Sequence, residues 1–166
     1  QLKPVFKARM LVHPEKLAQM AVTQEQAGLL ELLRLQVRFE GEPLAESGNR
    51  MEVLVDHKRK RVRFGPIEGV QIQPGQRGLG TFMLAQLIHW CQRYCGDYAV
   101  TPITLRDSDS ATEDARKARD TILSHAGFSI TPLDSEAGTA IAQANRVNGL
   151  VGSWNTERIQ PLQINN

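Results

Sequence analysis

Cysteine is scarce in this chain, and so are aromatics, net charge and long apolar runs. Cys91 and Cys95 are the two cysteines among 166 residues, four apart in a helical pattern. Side chains one helical turn apart seldom reach disulfide geometry, so both are expected as reduced thiols on a core-facing stripe. No apolar run approaches the ~18–20 residues that cross a bilayer, so no membrane partner is expected. The formal net charge of +2 is too small to argue for nucleic acid by bulk electrostatics. His13, His57, His89 and His125 show no metal-ligand spacing and no cysteine pair makes a zinc knuckle, so no metal is expected. A Gly-x-Ser-x-Gly elbow is missing as well, which leaves serine hydrolysis little support. Gln1-Leu2-Lys3-Pro4 carries no secretory signal, although a chain that starts without Met could have been trimmed of one. The expected compartment is the cytoplasm.

What the chain does contain is ordinary for a globular domain. Hydrophobic residues make up 41% and charged residues 23%, enough apolar material to bury one core. The length favours a single domain over 1–166, since one core usually serves about 100–200 residues. Val5 to Val12 alternates and reads as a first strand before His13-Pro14. A short helix is expected from Pro14 to Met20. A longer one is expected from about Gln24 to Arg38, where Thr23 and Gln26 form a capping box ahead of Leu29, Leu30, Leu32, Leu33 and Val37. Gly41 to Asn49 is a loop by composition. Met51 to Val55 and Arg61 to Phe64 flank a polar turn and predict a hairpin. Ile67 to Gln73 predicts a strand. A helix follows from about Gly80 to Tyr94, with Met83, Leu84, Leu87, Ile88, Cys91 and Cys95 on one face and Gly96 at its end. Tyr98 to Leu105 reads as a strand with an edge or bulge at Pro102. A helix from about Thr112 to His125 ends at Gly127, and Phe128-Ser129-Ile130 starts another strand. Asp134 to Asn166 is a C-terminal extension with one expected helix, Ala137 to Asn148.

The stretch richest in chemistry is Pro74-Gly75-Gln76-Arg77-Gly78-Leu79-Gly80-Thr81, between an expected strand and a helix. A turn that opens into a helix N-terminus gathers unpaired backbone N–H groups and the positive end of the dipole, which suits a diphosphate. Gly78 and Gly80 allow close approach to the backbone, and Thr81 adds a hydroxyl. No Lys-Ser/Thr follows, as Walker A requires, and the third glycine of a dinucleotide fingerprint is missing. Taken alone, the two glycines fit a plain strand-to-helix turn equally well.

The segment from Val70 to Leu84 resembles the acetyl-CoA-binding segment of the GCN5-related N-acetyltransferase (GNAT) superfamily, and Ser124-His125-Ala126-Gly127-Phe128 resembles that superfamily's helix-ending signature. The resemblance covers about Ile67 to Ile130. It implies an α/β (α+β) fold with a mixed, largely antiparallel central sheet flanked by helices. It also implies acetyl-CoA as co-substrate, and transfer of its acetyl group to a small-molecule or protein amine. The cofactor-binding residues would be Ile72, Gln73, Gly75, Gln76, Arg77, Gly78, Leu79, Gly80 and Thr81. Glu68, the lone acid on the strand before the turn, would be the general base, directly or through water, although a solvent-facing glutamate is an equally good reading. Leu123 stands where the family often has a tyrosine that protonates the leaving thiolate, and Arg116 where an asparagine is common. Tyr94 or Tyr98 could replace that acid only if the fold brings either near. The alternative reading is a diverged, non-catalytic GNAT-fold module that contacts protein or nucleic acid.

The run His57-Lys58-Arg59-Lys60-Arg61, with Arg63, is the one dense basic patch. A solvated hairpin tip is its plainest meaning. Contact of Lys58, Arg59 and Lys60 with phosphates, of nucleic acid or of CoA, is the sharper one. Aromatics at 5%, none within the run, argue against a single-strand stacking platform. A homodimer is compatible with all of these readings.

Overall fold

The computed structural model describes residues 3–12, 16–39, 50–65, 78–107, 112–156 and 159–165. Strand β1 (Lys3–Val12) pairs with β2 (Lys16–Ala27), β2 with β3 (Leu30–Phe39), β3 with β4 (Arg50–Asp56) and β4 with β5 (Arg61–Gly65), all antiparallel. Helix α1 (Leu79–Cys95) then carries the chain back to β6 (Ala99–Val100), which lies parallel to β5. The last strand, β10 (Ile159–Asn165), adds to the free side of β1, giving the order β10-β1-β2-β3-β4-β5-β6. A second, antiparallel sheet consists of β7 (Ile103–Arg106), β9 (Thr139–Gln143) and β8 (Ser129–Asp134), in that order, with α2 (Glu113–His125) between β7 and β8. The expected class, a mixed and largely antiparallel sheet with flanking helices, is the one observed.

Alternation decides which face is core. Ala18, Met20 and Val22 of β2, Leu33, Leu35 and Val37 of β3, Met51, Val53 and Val55 of β4, and Val62 and Phe64 of β5 are buried on one face. Strand registers align these positions with one another: Met20 with Val37, Leu35 with Met51, Val53 with Phe64. Helix α1 covers that face with Met83, Leu84, Leu87, Ile88, Cys91 and Cys95, the three- and four-residue spacing of one helical stripe. Burying such side chains in place of water is worth about 1.5–3 kcal/mol each, so this contact outweighs any local preference of the segments that make it.

That hierarchy accounts for the largest departure from the sequence reading. The helix expected over Gln24 to Arg38 is instead the end of β2, a two-residue turn at Gly28-Leu29, and most of β3. Gly28 has φ 60 and Leu29 does not share a positive φ, the backbone pattern of a type II′ hairpin turn. Leu33, Leu35 and Val37 point inward while Arg34, Gln36 and Arg38 do not, a period of two that coexists with leucines at helical spacing. The helix expected at Pro14 to Met20 is likewise replaced, from Lys16 onward, by β2. In the C-terminal extension the helix expected over Ala137 to Asn148 is a turn, β9 and a short 3-10 segment at Val147–Gly149. Asp134 Oδ1 accepts from the Glu136 and Ala137 amides at 3.0 and 3.2 Å, and Gly138 sits at φ 64, which commits 134–139 to a hairpin bend. Ile67 to Gln73 and Gly41 to Asn49 lie outside the described residues.

Other expectations hold. The hairpin is β4 and β5, and the helix after the glycines is α1. Cys91 and Cys95 are free and buried on its inner face. Helix α2 starts at the Thr112 cap, whose hydroxyl accepts from the Ala115 amide at 3.1 Å. It ends in a Schellman motif: the Phe128 amide donates to the Leu123 carbonyl at 3.0 Å, the Gly127 amide to Ser124 at 3.1 Å, and Gly127 takes φ 106. The motif Ser124 to Phe128 is therefore the device that turns α2 into β8. Pro102 divides the strand expected at Tyr98 to Leu105. Ala99 and Thr101 donate to the Lys60 and Val62 carbonyls of β5, at 3.0 and 2.8 Å. Proline has no N–H to continue that ladder, and the chain departs into the second sheet.

Leu87 has no exposed surface and sits centrally on the α1 stripe. Leu87→Ala should lower unfolding stability by about 2–5 kcal/mol, read from urea denaturation monitored by tryptophan fluorescence.

Candidate functional site

The N-terminus of α1 lies beyond the carboxyl end of β5, because a parallel β5–α1–β6 crossover needs the helix to return the chain along the sheet. In α/β units ligands favour this position, outside the strand ends. Gly78 is the N-cap residue at φ 76 and ψ 12, a left-handed conformation that L side chains resist. The first intrahelical bond runs from the Phe82 amide to the Gly78 carbonyl at 3.0 Å. The amides of Leu79, Gly80 and Thr81 therefore lack intrahelical acceptors. Among the described residues no side chain caps this turn, and its first turn holds no acid, so no charge within the helix itself offsets the positive end of the dipole.

Of the residues expected to bind a cofactor, the structure brings together Gly78, Leu79, Gly80 and Thr81. Leu79 and Gly80 are both buried, and the Leu79 side chain belongs to the core, so it is the backbone of this turn that could serve such a role. Thr81 is half-buried. Ile72, Gln73, Gly75, Gln76 and Arg77, and the candidate base Glu68, lie outside the described residues. Strand β5 loses its β6 partner after Val62. Arg63–Gly65 pair only with β4 among the described residues. Phe64 and Phe128 pack edge to face between the two sheets, with ring centroids 6.3 Å apart.

Tyr94 and Tyr98, the two tyrosines considered as the acid, lie far from the Gly78 turn. Tyr94 and Tyr98 sit at and beyond the last turn of α1, while Gly78 precedes its first. A 17-residue helix spans roughly 25 Å, so neither phenol is near the Gly78 turn. Leu123 has no exposed surface and packs in the core, and no proton donor replaces it there. Arg116 lies 3.8 Å from Asp107, as part of the clamp by which buried Arg119 also donates to the Arg106 carbonyl at 3.2 Å. Lys58, Arg59 and Lys60 lie at the end of the sheet where α1 finishes, so they do not flank the Gly78 turn.

That far end holds a polar chain that residue spacing gave no hint of. Glu31 Oε1 lies 2.9 Å from His57 Nε2, and His57 Nδ1 lies 2.8 Å from the Tyr98 hydroxyl. With Glu31 ionised and the imidazole neutral, Nε2–H donates to the carboxylate and the phenol donates to Nδ1. Gln24 donates its side-chain amide to Glu31 Oε2. The residues come from β2, β3, the β4–β5 turn and the α1–β6 turn, so only tertiary structure unites them. Desolvation pushes the Tyr98 phenol above the ordinary tyrosine range, with further upward contributions from Cys95, Asp97 and Glu31. Nearby, the hydrogen bond that Cys91 shares with Cys95, followed by burial, holds the Cys91 thiol protonated. Among the described residues no group of histidine, cysteine or acidic side chains could hold a metal ion, and no helix is long and apolar enough to cross a membrane.

Comparison with protein-family models, with curated proteins and with solved structures gives no match.

A raised Tyr98 has a stability consequence. Above about pH 10 the unfolded phenol loses its proton while the folded one keeps it, so stability is full below that pH and falls as pH rises toward the folded value. In a Tyr94→Phe variant the remaining tyrosine should titrate above pH 10 by ultraviolet absorbance. Tyr98→Phe should flatten the alkaline loss of stability.

Proposed function

We propose that this chain is a diverged member of the GNAT superfamily that transfers the acetyl group of acetyl-CoA to an amine. The observation that carries the reading is the α1 entry. A left-handed Gly78, a first turn with no side-chain cap among the described residues, and amides of Leu79, Gly80 and Thr81 without intrahelical acceptors stand at the carboxyl end of a strand in a parallel crossover. Such a turn suits the CoA pyrophosphate. Gln76 and Arg77 precede it in sequence and would add polar contacts, and Ile72 and Gln73 would offer backbone groups to the pantetheine and thioester.

The chemistry needs few parts. The neutral amine's lone pair adds to the thioester carbonyl carbon, a backbone amide polarises that carbonyl, and the C–S bond breaks as the tetrahedral intermediate collapses. Glu68 takes the proton the amine loses, directly or through water. The departing thiolate takes its proton from solvent, since Leu123 cannot supply one and both tyrosines lie at the other end of α1. The acceptor is a small-molecule or protein amine, the compartment is cytoplasmic, and a homodimer fits this reading.

The second reading is a non-catalytic module of the same fold. The observation in its favour is Leu123, apolar and fully buried at the position of the family's acid.

Calorimetric titration separates the two. Acetyl-CoA should bind and raise the unfolding temperature, whereas ATP should do neither. Replacing Gly80 by valine should abolish binding while unfolding stays cooperative; unchanged affinity would reduce the glycine turn to a structural role. Glu68→Gln should lower turnover by about 10²-fold with little change in acetyl-CoA affinity. Cofactor binding without transfer to any amine would select the non-catalytic module.

A further inference from the structure

The end of the molecule away from the Gly78 turn is built by two neighbouring hairpin tips. The β2–β3 turn presents Leu29 and Leu30, 57% and 46% exposed, and the β4–β5 turn presents exposed Lys58, Arg59, Lys60 and Arg61. A hydrogen bond from the His57 amide to the Leu29 carbonyl, 2.8 Å, ties the two tips together. Leu30, Asp56 and Arg61 are successive partners across β3, β4 and β5, so apolar and basic side chains share one edge.

Among the described residues none of the four cations is held in an ion pair. Asp56 turns its carboxylate onto the tip's own backbone, where Oδ1 accepts from the Lys58 and Arg59 amides at 3.0 Å each. Glu31 is occupied by His57 and Gln24. Lys60 takes φ 55, which makes the turn tight and fixes its shape.

We propose that this edge docks on an anionic lipid surface, with Leu29 and Leu30 entering the boundary between headgroups and acyl chains and the four cations resting on lipid phosphates. The pairing of exposed leucines with cations held in no ion pair among the described residues, on projecting tips, selects this partner. A nucleic acid would satisfy the cations but leave the leucines in water, and no aromatic stands in the tips to stack on a base. An anionic bilayer satisfies both, through buried apolar area and surface potential. The contact is peripheral, so the lack of a spanning helix does not bear on it. It is also independent of acetyl-CoA binding at the opposite end.

Co-sedimentation of the full chain with phosphatidylcholine vesicles, with and without about one-third phosphatidylglycerol, tests the proposal. Binding should require the anionic lipid and weaken as salt rises. Each cation is worth about fivefold in partition near such a surface, so replacing Lys58, Arg59 and Lys60 together by serine should lower it by about a hundredfold. Leu29→Ser with Leu30→Ser should also lower it several-fold, while circular dichroism and the unfolding temperature verify that both variants remain folded. Equal binding to neutral vesicles, no binding to either, or an unchanged partition of the leucine variant would overturn the proposal. So would tight, salt-sensitive binding of duplex RNA that the leucine variant retains in full, which would assign the basic tip to nucleic acid.

Discussion

The apolar contact between α1 and the inner face of β2–β5 is the constraint from which the rest of the architecture follows. Once Met83, Leu84, Leu87 and Ile88 are buried in one core with the inner face of the sheet, the helix axis must run along the sheet. Its first turn then falls beyond the end of β5 and its last turn beside β6. The molecule acquires two unlike ends, roughly a helix length apart. One presents the amides of Leu79, Gly80 and Thr81, which have no acceptor within the helix. The other gathers the Glu31–His57–Tyr98 chain and the basic tip.

A second dependence hangs on the short seam at β6. Two parallel pairs join it to β5, and on its other side Val100 donates to the Asn145 carbonyl while the Val147 amide donates to Tyr98. Pro102 then breaks the run, so β7 can enter the second sheet. That break separates the two sheets. Phe64 against Phe128, and Arg119 against Arg106 and Asp107, hold the second sheet and α2 in place.

The two ends also differ in chemistry. The Gly78 end offers backbone donors with no acid in the first turn, a setting for a bound anion. The far end holds a hydrogen-bonded carboxylate, imidazole and phenol within partly buried surroundings, where each polar group is satisfied by another. That arrangement fixes three turns relative to one another and so sets the spacing of the exposed leucines and cations beside it.

Local sequence determined the elements whose signals were both local and unopposed: α1 with its six-residue stripe, α2 with the Thr112 cap and Gly127 exit, the β4–β5 hairpin, and the break at Pro102. It also determined that Cys91 and Cys95 would face the core. Tertiary structure alone decided the 16–39 segment, where leucines fit both periods and the buried face of the sheet chose the strand. It decided the strand fates of 139–143 and 159–165, which exist because β7, β8 and β1 offer free edges. It likewise placed Tyr94 and Tyr98 far from the Gly78 turn and joined Glu31, His57 and Tyr98, residues far apart in the chain. Periodicity and capping act over a few residues, whereas which end of a helix meets which strand is settled only when its apolar face is buried.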